Sequence, residues 1–333
     1  MKKILVTGGS GFIGSHLIDH LLQMENVQVT NLDNMDDFYD RRIKEANILP
    51  HLQAKNYEFW EADVFDYKLL MELIDDSFDA IIHLAAKAGV RPSIRQPQHA
   101  QKVNVEGTLN LLEIARERGI SKFVYASSSS VYGINKRVPW REEDTACQPI
   151  SPYAATKLAA EHLGHVYHHL YNIQFIALRF FTVYGPRQRP DLAIHRFVDR
   201  IHRGLPIHVY GDGSSMRDYT YVGDVVQGIL GALQLQQPGH HIFNLGNNQT
   251  VSLKALIAAI EEVVGKQALL VHLPPQAGDV PLTCASIEKA QQYLKYQPAT
   301  ELKQGLQHFY QWYLEWKHHR ETMPDEKPLS KIG

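Results

Sequence analysis

Three stretches of the chain set a tyrosine four residues before a lysine: Tyr132/Lys136, Tyr153/Lys157 and Tyr313/Lys317. On a helix that spacing puts phenol and ammonium on one face. A free phenol has a pKa near ~10 and is a poor base at neutral pH, but a neighbouring positive charge favours the phenolate. Such a pair can take the proton of an alcohol while hydride leaves the same carbon. Tyr153/Lys157 has the surroundings of a helix: Ser151-Pro152 is a start signal, and Ala154, Ala155 and Ala159 sustain it. Tyr132 instead runs into the turn formers Gly133 and Asn135, and Tyr313 lies near the C-terminal end. Ser127 to Ser130 close an apolar, strand-like run and offer hydroxyls to hold the same alcohol.

A hydride needs an acceptor, and the first apolar run leads into one. In TGGSGFIG, residues 7–14, the glycines Gly8, Gly11 and Gly14 are spaced three apart, with a strand pattern before them and a helical pattern after. Glycine allows the tight turn and lets backbone approach a pyrophosphate, which the free N–H groups of the helix N-terminus favour. Asp33 ends the second strand pattern, where a carboxylate accepts hydrogen bonds from adenosine ribose hydroxyls and repels a 2′-phosphate. Asn34, Met35, Asp36 and Asp37 follow with no arginine, so the expected cofactor is NAD. Asp63 and Val64, after the third strand, are placed to border the adenine; Leu84, Ala85 and Ala86, after the fourth, the pyrophosphate.

These groups converge only if the elements between them form the right sheet. Apolar runs of strand length lie at 4–7, 27–32, 57–62, 80–84, 123–126 and 175–179. Helical spacing fills 14–23, 68–74, 103–118 and 153–171 between them. One strand per helix predicts an α/β fold, a doubly wound parallel sheet with crossover helices on both faces. After Val183 the rhythm breaks at Gly185-Pro186 and a smaller α/β C-terminal lobe is expected. Helices are expected over 251–264 and 302–316. The division expected is 1–182 plus about 219–247 for the dinucleotide, about 183–218 and 248–317 for the substrate, and a polar, frayed tail from 318 to 333.

Composition narrows the class. Among 333 residues, 34 lysines and arginines stand against 36 aspartates and glutamates, so no field for nucleic acid is implied. No apolar run reaches the ~20 residues of a membrane span. The two cysteines, Cys147 and Cys284, suit a reducing cytoplasm. His165 and His169 are four apart, with His162 nearby, but no second ligand cluster supports a metal, and none is expected.

Taken together, TGGSGFIG, Asp33, LAAKAGVR (84–91), YASSSSVYG (125–133) and SPYAATK (151–157) resemble the extended short-chain dehydrogenase/reductases that act on nucleotide sugars, over nearly the whole chain. Within that superfamily, DNMDDFYDRRIKEANI (33–48) and FFTVYGPRQRPD (180–191) are most similar to the UDP-glucuronate 4-epimerases. The resemblance implies a Rossmann domain, a Ser128, Tyr153, Lys157 triad, and hydride shuttling through tightly held NAD. It adds Phe12, Ile13, Asn34, Lys87, Asn104 and Phe180 to the cofactor residues named above. For a UDP-sugar it implies Arg91, Ser129, Ser130, Thr182, Arg217 at the phosphates, and Asp279. Arg187 and Arg189 offer a fork for a sugar carboxylate.

Departures from the pattern sort the relatives. Sugar dehydratases carry an Asp-Glu pair where this chain has Ser129 and Ser130, because eliminating water needs an acid and a base. The decarboxylases of UDP-glucuronate place a glutamate where Ser130 stands. Gln276, before Gly278-Asp279, replaces a phosphate-binding arginine usual in the glucose 4-epimerases. The expected activity is interconversion of UDP-glucuronate and UDP-galacturonate through a 4-keto sugar. The rivals are a 4-epimerase of neutral UDP-hexoses, plain or N-acetylated, and a catalytically silent dinucleotide-binding regulator, against which the intact triad argues. The family resemblance also implies a homodimer joined through the helices of 103–118 and 153–171.

Overall fold

The computed structural model describes residues 2–144, 147–274 and 280–322. Its centre is a parallel sheet of seven strands: β1 (Lys2–Thr7), β2 (Val27–Leu32), β3 (Tyr57–Trp60), β4 (Ala80–His83), β5 (Lys122–Ser128), β6 (Gln174–Phe180) and the strand His240–Leu245. Their order across the sheet is the last strand, then β6, β5, β4, β1, β2, β3. The chain therefore winds outward from β1 in one direction as far as β3, and from β4 in the other. The strand order reverses between β1 and β4, and the crevice at the carboxyl ends of strands at such a switch point is where open α/β sheets take ligands.

Strands buried on both faces read as continuous apolar runs, and β1 shows how they divide. Ile4 and Val6 point into one apolar layer with Leu17, Ile18, Val225 and Ile229. Leu5, one residue out of phase, joins Leu111, Ile114, Phe123 and Phe175 on the opposite face. All of these side chains are essentially inaccessible, so the sheet is closed on both sides. Helix Val222–Gln234 supplies part of the first layer although it follows the second lobe's first segment.

The second lobe has its own apolar cluster, with Ile194, Val198, Ile207, Leu256, Ile260 and Phe309 among its members. Three short two-stranded pairs lie outside the seven-stranded sheet. Thr182–Tyr184 runs parallel to Tyr219–Tyr221, and Met216–Arg217 is antiparallel to Val251–Ser252. Those two pairs carry Thr182 and Arg217.

Two elements differ from the sequence expectation. The helix expected over 103–118 begins as a π-helical stretch, Lys102–Glu106, before the α-helix Gly107–Arg118. The wider turn falls beside the site, as π segments often do, and contains Asn104. The last helix, Leu302–Thr322, runs past the expected end at 316 and past 318, where a frayed tail was expected. Residues 323–333 lie outside the described part of the chain.

Candidate active site

A cavity of about 560 Å³ occupies the crevice. Its walls come from the glycine turn, the carboxyl ends of β2, β4 and β5, the first turns of helix Pro152–Tyr171, and residues of the 180–194 segment. Gly8 sits at φ 73°, a left-handed conformation that favours glycine, and an added Cβ would lie 2.6 Å from the Ala85 nitrogen. At Gly14 an added Cβ would fall on the Gly8 carbonyl oxygen and 2.6 Å from Gly9 Cα. The turn and the following helix Phe12–Leu22 are thus packed backbone to backbone, with Gly11, Phe12 and Ile13 on the cavity wall. Gly14→Ala is expected to force turn and helix apart and to abolish NAD retention; nucleotide released from purified, heat-denatured protein measures it.

The residues present fit NAD. Asp33 is buried at the end of β2, where its carboxylate accepts from the Ser10 and Met35 backbone N–H groups at 3.1 and 2.9 Å. Burial pushes its pKa up, while Lys44, 3.8 Å away, pulls it down. Lys44 also lines the cavity. The sequence reading missed it because it stands on the next helix, Arg41–Ile48, rather than directly after Asp33. Asn34 donates to Asp63 at 2.7 Å, and Val64, Leu84, Ala85, Ala86 and Phe180 line the same space. Lys87 lines it too, with its ammonium on Asp36 at 2.9 Å.

Asn104, expected among the cofactor residues, does not line the cavity. It is buried, accepting from the Lys87 N–H at 2.8 Å and donating to Thr156 Oγ1 at 3.0 Å. The π-helical turn aims its amide at the loop after β4, and it holds that loop to the helix of Tyr153.

Ser151 caps helix Pro152–Tyr171 by accepting from the Ala154 N–H, and Pro152 fills the first position. Tyr153 and Lys157 therefore face the cavity from its first turns. The Lys157 ammonium donates to the Ala126 carbonyl at 2.7 Å and lies 5.9 Å from the Tyr153 ring centre. Desolvation raises the Tyr153 pKa, whereas a hydrogen bond with Ser128 and the charge of Arg189 lower it. Ser128 in turn accepts from the Ser130 N–H at 3.2 Å. Burial pulls the Lys157 ammonium down to about 7, opposed by Glu161 one turn on.

Glu161 was not singled out from sequence, although its i,i+4 spacing from Lys157 was visible. It is buried, pairs with Arg179 through contacts of 2.7 and 3.0 Å, and accepts from Ser127. His83, also missed, bridges Thr7 and Thr108 at 2.7 and 3.0 Å. Burial foremost, then the Lys157 charge, depresses it to about 3, so the ring is neutral.

Ser130 and Thr182 belong both to this cavity and to an adjoining one of about 150 Å³, which Ser129 and Arg217 also line. Arg189 lines the larger cavity. Its guanidinium is held by Asp191 at 2.9 and 2.8 Å and lies 5.3 Å from the Phe38 ring centre. The expected two-arginine fork does not form. Arg187 turns away at φ 62° and pairs with Asp19 on helix Phe12–Leu22 at 2.7 Å, outside both cavities. Arg91 is exposed, with its guanidinium 5.5 Å from the Tyr210 ring centre, and lines neither cavity. Gln276 and Asp279 lie outside the described residues. Among the described residues no cluster of three or more His, Cys, Asp or Glu side chains is arranged to hold a metal, and no helix is long and apolar enough to cross a membrane.

A doubly wound sheet with a glycine cradle at its switch point and a Ser, Tyr, Lys constellation beside it defines an extended short-chain dehydrogenase/reductase. More narrowly, residues 5–309 match the GDP-mannose 4,6 dehydratase family, and the chain belongs to that family. It is 45% identical over 318 residues to an uncharacterized protein of Methanocaldococcus jannaschii, covering 95% of this chain and 97% of that one. A UDP-glucuronate 4-epimerase of Thermodesulfobacterium geofontis is 38% identical over 314 residues, covering 94% and 96%. The crystal structure of the UDP-glucuronic acid 4-epimerase of Bacillus cereus, in complex with UDP-glucuronic acid and NAD, superposes with a TM-score of 0.88 at 36% identity. That superposition covers 94% of this chain and 99% of the other.

Proposed function

We infer that the chain is an NAD-dependent 4-epimerase that interconverts UDP-glucuronate and UDP-galacturonate. The observation that carries this reading is the pairing, in one cavity, of Tyr153 with Arg189, while neutral hydroxyls stand at Ser129 and Ser130. A dehydratase needs an acid and a base at those two positions. Bound NAD, held by the glycine cradle and Asp33, supplies a two-electron acceptor for carbon 4.

In this reading Tyr153 takes the proton of the 4-hydroxyl as that carbon becomes a ketone. Ser128, hydrogen-bonded to the phenol, orients the same oxygen. Lys157 lends the positive charge that makes the phenolate accessible near neutral pH. The ketone then presents its other face, and Tyr153 gives the proton back. Arg189, with Thr182 and the hydroxyls of Ser129 and Ser130, holds the sugar carboxylate, and Arg217 meets the diphosphate.

Incubation with UDP-glucuronate, UDP-glucose and UDP-N-acetylglucosamine separately, following each anomeric proton by NMR, tests the assignment. UDP-galacturonate should form fastest. Preference for a neutral sugar would replace the substrate, and no turnover of any would leave a dinucleotide-binding regulator.

We assign 1–182 plus about 219–247 to the cofactor and about 183–218 with 248–317 to the nucleotide sugar. A cytoplasmic location accompanies these ligands. The same reading includes a homodimer. Helices Gly107–Arg118 and Pro152–Tyr171 run side by side, and an apolar hollow between them is lined by Pro97, Val105, Leu109 and Ala155. Val166, Leu170 and Tyr171 stand exposed farther along the second helix, a concentration of apolar surface suited to a partner. Light scattering at micromolar concentration should return twice the 37.9 kDa of one chain; a monomeric mass would remove the dimer.

A further inference from the structure

Arg189 reaches the cavity from a loop whose preceding residues, Pro186 to Gln188, are tied to two different parts of the fold. Gln188, buried, accepts from the His195 ring at 2.6 Å through its carbonyl and donates to the Val183 carbonyl at 3.0 Å. The loop is also tied to the helix that opens at the glycine turn. Arg187 pairs with Asp19 at 2.7 Å, and the His16 ring bonds the Pro186 carbonyl at 2.9 Å. Burial foremost, then the charge of Arg187, depresses His16 to about 4, so a neutral ring makes that bond. His51, buried after the helix of Lys44, completes the cluster by contacting the other Asp19 oxygen at 2.6 Å. Asp19 is thereby held from two directions, and burial is outweighed by His51 and Arg187 in keeping its carboxyl below the usual range.

None of these four side chains lines either cavity. Arg187 adopts φ 62°, a left-handed conformation uncommon for a residue with a side chain. The ion pair to Asp19 is a contact that compensates that conformation.

We propose that the Asp19–Arg187 ion pair, supported by His16 and His51, is a clasp that positions the Arg189 loop against the cofactor helix and thereby protects the 4-keto intermediate from losing its carboxylate. The proposal rests on the epimerase reading above. Oxidation of carbon 4 in a uronate places the carboxylate β to a ketone. When the C5–C6 bond aligns with the carbonyl π system, that bond breaks and its electron pair forms the C4–C5 enolate, with negative charge on O4. Carbon dioxide leaves, and a proton from solvent adds to C5, giving a 4-keto pentose with no oxidant or reductant consumed in the step. An Arg189 held in one place prevents the alignment; a loop free to shift by even a fraction of an ångström does so less well. Asp19 and Arg187 are positioning residues in this account, since neither touches the sugar.

The test is the partition of product, a ratio that the amount of folded protein does not alter. UDP-glucuronate labelled with ¹³C at carbon 6 is supplied to the holoenzyme, and carbon dioxide released is compared with UDP-galacturonate formed. Asp19→Asn keeps the shape and removes the charge. Arg187→Asn removes the guanidinium while asparagine, a residue favoured at left-handed φ, keeps the backbone restricted, so its effect reports the contact rather than a loosened backbone. Each variant should raise the carbon dioxide share about tenfold, and the double variant should do no worse than either alone, as expected for two halves of one interaction. A share within twofold of the unaltered protein in both single variants overturns the clasp. So does a double variant whose effect is the product of the two. If the unaltered protein does not convert UDP-glucuronate, the epimerase reading falls and takes the clasp with it; conversion with an unmoved partition defeats the clasp alone.

Discussion

Tyr153→Phe should lower turnover of UDP-glucuronate by roughly 10²-fold or more while the protein keeps its NAD. The substitution removes one oxygen from a half-buried ring and leaves the ring's contacts intact, so the fold should not respond. It removes a group that is hydrogen-bonded to Ser128, favoured as phenolate by the charge of Arg189, and 5.9 Å at its ring centre from the Lys157 ammonium. Desolvation alone would make this phenol a weaker acid than usual. The wall of the cavity counters that with a hydroxyl donor and positive charge. Measuring kcat by anomeric NMR, and bound nucleotide by its release on denaturation, separates chemistry from cofactor binding. Near-normal turnover with full NAD would remove Tyr153 from the reaction.

Arg189→Ala should reduce kcat/KM for UDP-glucuronate by about ten- to a hundredfold, the equivalent of ~1.5 to 3 kcal/mol for a hydrogen bond to a charged group. Any activity on UDP-glucose should change far less, because the neutral hydroxymethyl group gains little from a guanidinium. The geometry favours a large effect: the side chain is only 17% exposed, and Asp191 and the Phe38 ring hold its planar fork over the cavity. A substrate carboxylate would therefore meet a preorganised partner. Equal losses on acidic and neutral sugars would show that Arg189 supports the cavity wall and does not read the carboxylate. Comparing the two sugars in one preparation cancels differences in the fraction of active protein.

Much of the cofactor side was legible before any coordinates. The glycine spacing, the carboxylate at Asp33 and the alternation of buried runs with helices are local patterns, and local sterics with strand burial leave few ways to arrange them. The helical start before Tyr153 chose one Tyr-Lys pair of three for the same reason: capping and propensity act over a handful of neighbours. Only the tertiary structure decided what crosses from one element to another. It separated Arg187 from Arg189, two residues apart, by sending the first to Asp19 and the second to the cavity. It set Asn104, in the wider turn of Lys102–Glu106, on the Lys87 N–H and Thr156 rather than on the cavity wall. Lys44, Glu161 and His83 came beside the site through partners from 11 to 76 positions away or through burial that no periodicity announces. Periodicity reports which face of an element is covered. Which side chain meets which across the crevice depends on how two lobes pack, and that is fixed by contacts distant in sequence.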